Sequence, residues 1–149
     1  MFFGKSGDQV ATAGRYIETS TGAYLSDGGA WTNSSDRDRK EHFRDEDAES
    51  VLARIATLPI QSWTYKAEDS SIRHLGPTAQ DFYAAFGLGD SDKAIPTVDI
   101  DGVNMLAIQA LEARTRDLDA SRAELAETQQ RLAALATAVE RLVAGTEVD

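Results

Sequence analysis

The feature that most constrains the fold of this chain is a row of apolar residues that repeats every seven positions near its C-terminus. The row consists of Leu111, Leu118, Leu125, Leu132 and Val139. One register held over five heptads is typical of a coiled coil rather than of a helix packed on a globular core. The sequence therefore predicts a helix from about Val103 to Val143, roughly 60 Å long.

The d positions of the same register are polar in the first three heptads and leucine in the last two. They are Arg114, Ser121, Thr128, Leu135 and Leu142. Polar layers cost stability but help to fix register and strand number. Asp117 at g and Arg122 at the following e are suited to an interchain ion pair. A lone helix this polar would be unstable in water, so the pattern favours self-association, without deciding between a dimer and a trimer.

Composition narrows the classes of partner and site. The 149 residues suffice for one domain with an appendage and include no cysteine, which excludes disulfides, zinc–thiolate sites and cysteine nucleophiles. A net charge of −10 would repel nucleic acid and anionic membranes. No apolar run approaches the ~20 residues of a membrane span, and Met1–Gly7 lacks the shape of a signal peptide. We expect the chain to be a piece of a longer protein, because its first third looks unable to fold alone.

Residues 1–34 are rich in Gly, Ser and Thr, and they predict short strands. These strands are Arg15–Thr19, Gly22–Ser26 and Ala30–Thr32, with a turn at Asp27–Gly29. The segment has too few large apolar residues to bury a core of its own. It would be stable if several copies wrapped together as a β-stalk; the alternative is a partly ordered linker.

The middle of the chain predicts an α+β domain. Its elements are a helix from Asp47 to Thr57, strands at Ile60–Tyr65 and Ile72–Pro77 that could pair as a hairpin, and a helix over Ala79–Phe86 with Thr78 as N-cap. Further expectations are core roles for Phe82, Tyr83 and Phe86, a short strand at Thr97–Ile100, and a turn at Asp101–Gly102 with Asp101 capping the final helix. Met105, Leu106 and Ile108 are expected to pack on the globular part.

The charged segment Ser35–Lys40 holds the most interesting pair of side chains. A serine hydroxyl becomes a good nucleophile when a base removes its proton, and a neutral lysine amine can be that base. The neighbouring arginines would favour a neutral Lys40 and the neighbouring carboxylates would oppose it, so the sequence leaves the balance open. Taken alone, a serine and a lysine at this spacing also fit a solvated surface loop.

Several motifs in order resemble the intramolecular chaperone domain of the endosialidase type, also called the peptidase S74 domain. The motifs are Ser-Asp-x-x-x-Lys at 35–40, Leu58-Pro59-Ile60, Trp63-Thr64-Tyr65, the run from Arg73 to Phe82, and the run from Val98 to Val103 before the coiled coil. The resemblance covers about Ser35 to Val143. Domains of this family occur at the C-termini of phage tail fibres and tailspikes, and in some bacterial and animal proteins.

The resemblance implies a homotrimer that aligns three copies of an upstream fibre passenger and then cuts the chain immediately before the motif serine. Ser35 would be the nucleophile, Lys40 the base, and Ser34–Ser35 the scissile bond. Residues 1–34 would end the stalk, 35–102 would form the chaperone core, and 103–149 the trimeric coiled coil. The protein would be assembled in the host cytoplasm and reside in a tail fibre or virion, or on a bacterial surface.

Other residues have two interpretations each. His74 could orient the dyad or donate to an oxyanion, or be a half-buried histidine with a backbone partner. Gln80 could bond the cleavage loop or cap local backbone, and Asp36 is a further possible supporting residue; His42 is expected at the surface. Asp99–Gly102 has the wrong spacing for a calcium loop and is interpreted as a turn. The sequence contains no phosphate loop, metal-ligand cluster or Ser/His/Asp triad motif, so no cofactor or metal is predicted.

Three functions follow as hypotheses. The first is a self-cleaving intramolecular chaperone. The second is a non-cleaving module that trimerises and caps a fibre or surface protein. The third is a cytoplasmic coiled-coil adaptor, which would predict a domain that folds without the trimeric stalk. Breakage of the Ser34–Ser35 bond separates the first from the second.

Overall fold

The computed structural model describes residues 13–146, which form five short strands, three α-helices and one turn of 3-10 helix. The strands are β1 (Arg15–Glu18), β2 (Tyr24–Ser26), β3 (Trp31–Thr32), β4 (Gln61–Trp63) and β5 (His74–Gly76); the helices are α1 (Ala48–Thr57), α2 (Ala79–Phe86) and α3 (Thr97–Thr146). Contacts divide the chain into two units, Met1–Asp45 and Glu46–Asp149. The predictions for Met1–Gly7, and for the outer ends of the stalk and coiled coil at 1–12 and 147–149, lie outside the described residues.

The first unit contains a three-stranded antiparallel sheet in the order β1-β2-β3. Glu18 pairs with Tyr24, and Leu25 pairs with Trp31. The predicted glycine turn closes β2 onto β3, with Gly29 at φ +82° and its amide donating to the Ser26 carbonyl at 2.9 Å. No residue of 13–45 is buried in this chain. The strands and the lack of a core were both predicted.

The second unit starts with α1, a hairpin and α2, and each begins close to its predicted position. The Asp47 carboxylate caps α1 by accepting from the Glu49 amide at 3.2 Å. Strands β4 and β5 pair antiparallel, with Trp63 opposite His74. Thr78 caps α2, and Gly87 ends it in the left-handed conformation at φ +63°. The hairpin, the cap at Thr78 and both helices are confirmed, although the strands are shorter than predicted; Asp47, predicted as the first helical residue, is the N-cap instead.

A small core joins α1, α2 and the first turns of α3. Val51, Phe82 and Val103 are buried, and partly buried apolar residues surround them: Ile55, Phe86, Ile95, Ile100 and Leu106. Phe82 is 2% exposed, and its ring centroid lies 5.0 Å from that of Phe86. The prediction that Tyr83 belongs to this core is wrong, because its position on α2 leaves it 40% exposed.

The last helix begins six residues before the predicted start, at Thr97 rather than Val103. The predicted strand at Thr97–Ile100, the turn at Asp101–Gly102 and the cap at Asp101 are therefore wrong. The amides of Asp99 and Ile100 donate to the Pro96 carbonyl at 3.1 and 3.2 Å, which starts the helix. Packing of Ile100 on the core outweighs the preference of β-branched residues for strands.

This early start fixes which side of α3 faces the core. Val103, Ala107 and Ala110 are buried, whereas Met105 is 62% and Ile108 is 63% exposed. The prediction that Met105 and Ile108 pack on the globular part is wrong, and the one for Leu106 is confirmed. The reason is the helical period of 3.6 residues, which turns positions 105 and 108 away once Ile100 and Val103 face inward.

Beyond the core, α3 continues with both sides exposed. Every residue from 114 to 144 is exposed in this chain, and the five a-position residues are 50 to 61% exposed. Arg114, the first polar d residue, pairs with Glu49 of α1, with its Nε donating at 2.8 Å. Among the described residues, no helix combines the length and apolar character needed to span a membrane. The fold is mixed α and β, with small sheets and a long C-terminal helix, as predicted.

Candidate functional site

A single turn of 3-10 helix, Arg37–Arg39, brings Ser35 and Lys40 together. Asp36 precedes it as N-cap, with its carboxylate accepting from the Asp38 amide at 3.0 Å. The Lys40 amide donates to the Arg37 carbonyl at 3.1 Å, which closes the turn. As a result, Lys40 Nζ donates to Ser35 Oγ at 2.6 Å. The predicted nucleophile and base are thus in direct contact, and Asp36 has a structural role in the turn that joins them.

Arg39, the neighbour of Lys40, contacts the residue before the predicted cut. Its Nη1 donates to Ser34 Oγ at 3.2 Å and to the carbonyl of Thr21 in the β1–β2 turn. Sequence reasoning assigned Arg39 only a charge effect and missed these contacts. Thr21 and Arg39 are 18 residues apart, and no motif in the sequence links them.

Arg37 and His42, which also lie in or beside this turn, contact other side chains. The Arg37 guanidinium lies 4.7 Å from the centroid of the Phe43 ring, so it stacks on an aromatic face. His42 adopts φ +56°, and its side chain is 89% exposed, with Nε2 3.5 Å from Glu41 Oε1. The prediction of a surface role for His42 is confirmed. Ser34, Ser35 and Lys40 are also exposed in this chain.

His74 belongs to an aromatic cluster on the β4–β5 hairpin, in the second unit. Its ring stacks on Trp63 with centroids 4.7 Å apart, and meets the edge of Tyr65 at 5.2 Å. Its Nε2 lies 2.8 Å from Glu68 Oε2, and its side chain is 34% exposed. The half-buried position was one predicted alternative, but the partner of the ring nitrogen is a carboxylate rather than a backbone group, because the loop between the strands returns Glu68 to the hairpin.

Gln80 is exposed on the first turn of α2. Capping of this helix is done by Thr78, whose Oγ1 accepts from the Asp81 amide at 3.2 Å and contacts Asp81 Oδ2 at 2.7 Å. Thr78, two residues earlier, therefore has the capping role that was one alternative for Gln80.

Two pKa shifts in the second unit have local causes. The hydroxyl and amide of Ser71 donate to Asp69 and lower the pKa of that carboxyl. The pKa of Arg114 is raised by its hydrogen bond to Glu49 and by the opposite charge. Within residues 13–146, no group of three or more His, Cys, Asp or Glu side chains could hold a metal ion.

The segment that carries these side chains also matches a known family. Residues 35–88 match the family model Peptidase_S74, described as chaperone of endosialidase. The match starts at Ser35 and ends in the glycine segment after α2, so it contains Lys40, His74 and Gln80 but not α3. No curated protein matches the chain. The family resemblance deduced from the motifs is confirmed for this segment.

Proposed function

We propose, from the premise that residues 35–88 are a chaperone domain of the endosialidase family, that this chain trimerises, aligns the fibre that precedes it and then cuts itself between Ser34 and Ser35. The contact of 2.6 Å between Lys40 Nζ and Ser35 Oγ is the observation that carries the proteolytic part. Residues 1–34 are the end of the passenger, 35–102 the chaperone core, and 103–149 the coiled coil. The assembled protein belongs to a tail fibre or to a bacterial surface.

The chemistry needs only groups of the chain and one water molecule. A neutral Lys40 amine takes the hydroxyl proton of Ser35, and Ser35 Oγ attacks the carbonyl carbon of Ser34. The Ser34–Ser35 amide bond breaks, the α-amine of Ser35 accepts a proton from Lys40, and an ester joins Ser34 to Ser35 Oγ. Water then hydrolyses the ester, leaving the Ser34 carboxylate, the free Ser35 hydroxyl and a new N-terminus.

The exposure of the dyad suggests how cleavage waits for assembly. An exposed amine is solvated best as an ammonium ion, which donates a hydrogen bond but cannot accept a proton. Covering the loop with neighbouring copies would remove water and favour the neutral amine. Trimerisation would thus turn an inactive contact into a reactive one, and the cut would mark a correctly assembled fibre.

The test is the intact mass of the purified protein and its variants. Wild type should yield two fragments, 1–34 and 35–149, whereas Ser35→Ala and Lys40→Arg should stay whole. Lys40→Arg keeps the positive charge, but its guanidinium does not deprotonate at ordinary pH. Matched controls are Ser71→Ala and Lys93→Arg, whose side chains bond to Asp69 and Asp92 in exposed turns; both should cleave like wild type.

A chain that stays whole under assembly conditions would contradict the proteolytic part. The second candidate, a permanent module that trimerises and caps a fibre, would then replace it. The exposed heptad row of α3 favours this candidate independently of the dyad, because leucine side chains that are 50 to 61% exposed gain from association. A monomer at micromolar concentration would contradict both candidates and leave the adaptor hypothesis.

A further inference from the structure

Two adjacent basic residues contact two adjacent serines in the first unit. Lys40 Nζ donates to Ser35 Oγ at 2.6 Å, and Arg39 Nη1 donates to Ser34 Oγ at 3.2 Å. These serines flank the bond that the proposed reaction cuts. Lys40 contacts the side that carries the nucleophile, while Arg39 contacts the side that carries the carbonyl under attack.

Arg39 also joins this site to the strands that come before it. The same Nη1 donates to the carbonyl of Thr21, in the turn between β1 and β2. Two backbone hydrogen bonds close that turn: the Gly22 amide donates to the Thr19 carbonyl at 2.9 Å, and the Thr19 amide donates to the Ala23 carbonyl at 2.8 Å. Thr21 therefore presents its carbonyl to Arg39 only when the chain at 19–23 has folded.

Gly22 makes room for the guanidinium. Its φ of +85° is a conformation that side chains rarely allow, and a Cβ there would lie 3.2 Å from Arg39 Nη1 and 3.6 Å from Ser34 Oγ. The turn, the guanidinium and Ser34 thus meet at one point. A larger residue at position 22 would strain the turn and push the guanidinium away from both partners.

We infer that Arg39 is a positioning residue for self-cleavage, which holds Ser34 against the folded β1–β2 turn so that the cut depends on the fold of the passenger's last strands. The inference rests on the proposed function. A bond between two flexible residues reacts slowly unless its carbonyl is held near the attacking oxygen, and small displacements cost large factors in rate. Arg39 supplies that restraint on the carbonyl side, as Lys40 does on the hydroxyl side.

The experiment measures the rate of cleavage after uncleaved chains, isolated in denaturant, are diluted into native buffer. Arg39→Ala should slow cleavage about 10- to 100-fold, and Gly22→Ala should act in the same direction. Arg37→Ala is the matched control: it removes the same charge from the same turn, but its guanidinium stacks on Phe43 instead. It should cleave within about twofold of wild type, because it contacts neither serine.

Two readouts separate positioning from a general loss of structure. Added guanidinium ions should restore part of the rate in Arg39→Ala and leave Arg37→Ala unchanged, because a small cation can occupy the vacated contacts but cannot repair a misfolded chain. The rate of Arg39→Ala should also still rise with pH, as in wild type, because Lys40 remains the base. Arg39→Lys, which retains one donor group, should fall between wild type and Arg39→Ala.

The outcomes distinguish this inference from the proposed function. Wild type that never cleaves contradicts self-cleavage itself and the inference with it. Wild type that cleaves, beside an Arg39→Ala variant of unchanged rate, overturns the inference alone. Equal slowing by Arg37→Ala and Arg39→Ala would also overturn it, since loss of charge would then explain both. If Arg39→Ala forms no trimer by light scattering, Arg39→Lys and Gly22→Ala decide by the same rate comparison.

Discussion

At the scale of single residues, the site depends on how far each side chain can reach from one short turn. Asp36 caps the start of the 3-10 turn, and the turn places Lys40 beside Ser35 and Arg39 beside Ser34. Lys40 follows Ser35 by five residues, and in an extended chain their Cα atoms would lie roughly 17 Å apart. The capped turn brings the serine and the lysine of the motif into contact.

The role of Lys40 as base predicts the direction of the pH dependence. A base must be deprotonated before it can accept the hydroxyl proton of Ser35, so the cleavage rate should rise with pH. The measurement is the rate after dilution into buffers from about pH 6 to about pH 9. A rate that falls over this range would indicate that a protonated group, rather than a neutral amine, limits the reaction.

At the scale of elements, α3 joins two kinds of packing in one helix. Its first turns bury Val103, Ala107 and Ala110 against the globular core, and Arg114 pairs with Glu49 at the end of that contact. The polar d residue of the first heptad is therefore explained by an intrachain ion pair with α1. The row of a-position residues starts at Leu111, which is 52% exposed and directly follows Ala110, the last buried residue of α3 in the described part of the chain.

The early start of α3 can be tested at Gly102, which lies inside the helix. A Cβ at this position would meet nothing within 4 Å, and its φ is not positive. Gly102→Ala should raise the free energy of unfolding by about 0.5–1 kcal/mol, since alanine is the better helix former. Urea denaturation at one fixed protein concentration measures the change, because assembly also affects stability.

The matched control is Gly87→Ala at the end of α2. Here too a Cβ would meet nothing within 4 Å, but φ is +63°. This substitution should lower stability by about 1 kcal/mol through backbone strain alone. A destabilising Gly102→Ala would instead support the turn that the sequence predicted at Asp101–Gly102.

At the scale of the whole molecule, α3 carries an exposed row of apolar residues from Leu111 to Val139. After the Arg114–Glu49 pair, residues 115 to 144 of this 50-residue helix are all exposed, so burial against the rest of the chain adds little stability over that length. Intrahelical pairs such as Glu112–Arg116 at 2.9 Å and Glu127–Arg131 at 2.5 Å add only a few tenths of a kcal/mol each. Association of the leucine row in a trimer is the larger stabilising term that we propose.

Leu132→Asp should therefore abolish the trimer at micromolar concentration, because it places a charge in an a layer. Gln130→Asp is the control, since position 130 is an outward f position of the same register and should leave assembly unchanged. Light scattering gives the oligomeric state and intact mass gives the extent of cleavage. If cleavage waits for assembly, Leu132→Asp should also stay whole; a monomer that cleaves at the wild-type rate would contradict that coupling.

Much of this protein is determined by its sequence alone. Local signals specified the strands of residues 13–34, the two short helices, the cap at Thr78 and the hairpin, because each depends on neighbouring residues. The Ser-Asp-x-x-x-Lys motif predicted Ser35 and Lys40 as the reactive pair, and both lie in the segment 35–88 that matches the family model. The heptads predicted a long C-terminal helix, although not its partner.

Only the tertiary structure decided how distant parts meet. Packing of Ile100 on the buried cluster of Val51, Phe82 and Val103 stabilises a helix in residues whose local preference is for a strand. Because Ile100 and Val103 face the core, the helical period places Met105 and Ile108 on the exposed side of α3. Folding of the β1–β2 turn brought Thr21 to Arg39 across 18 residues, and the hairpin loop brought Glu68 to His74. The Thr21–Arg39 contact spans 18 residues and the Glu68–His74 contact spans six, and both depend on how the intervening chain folds rather than on a local sequence pattern.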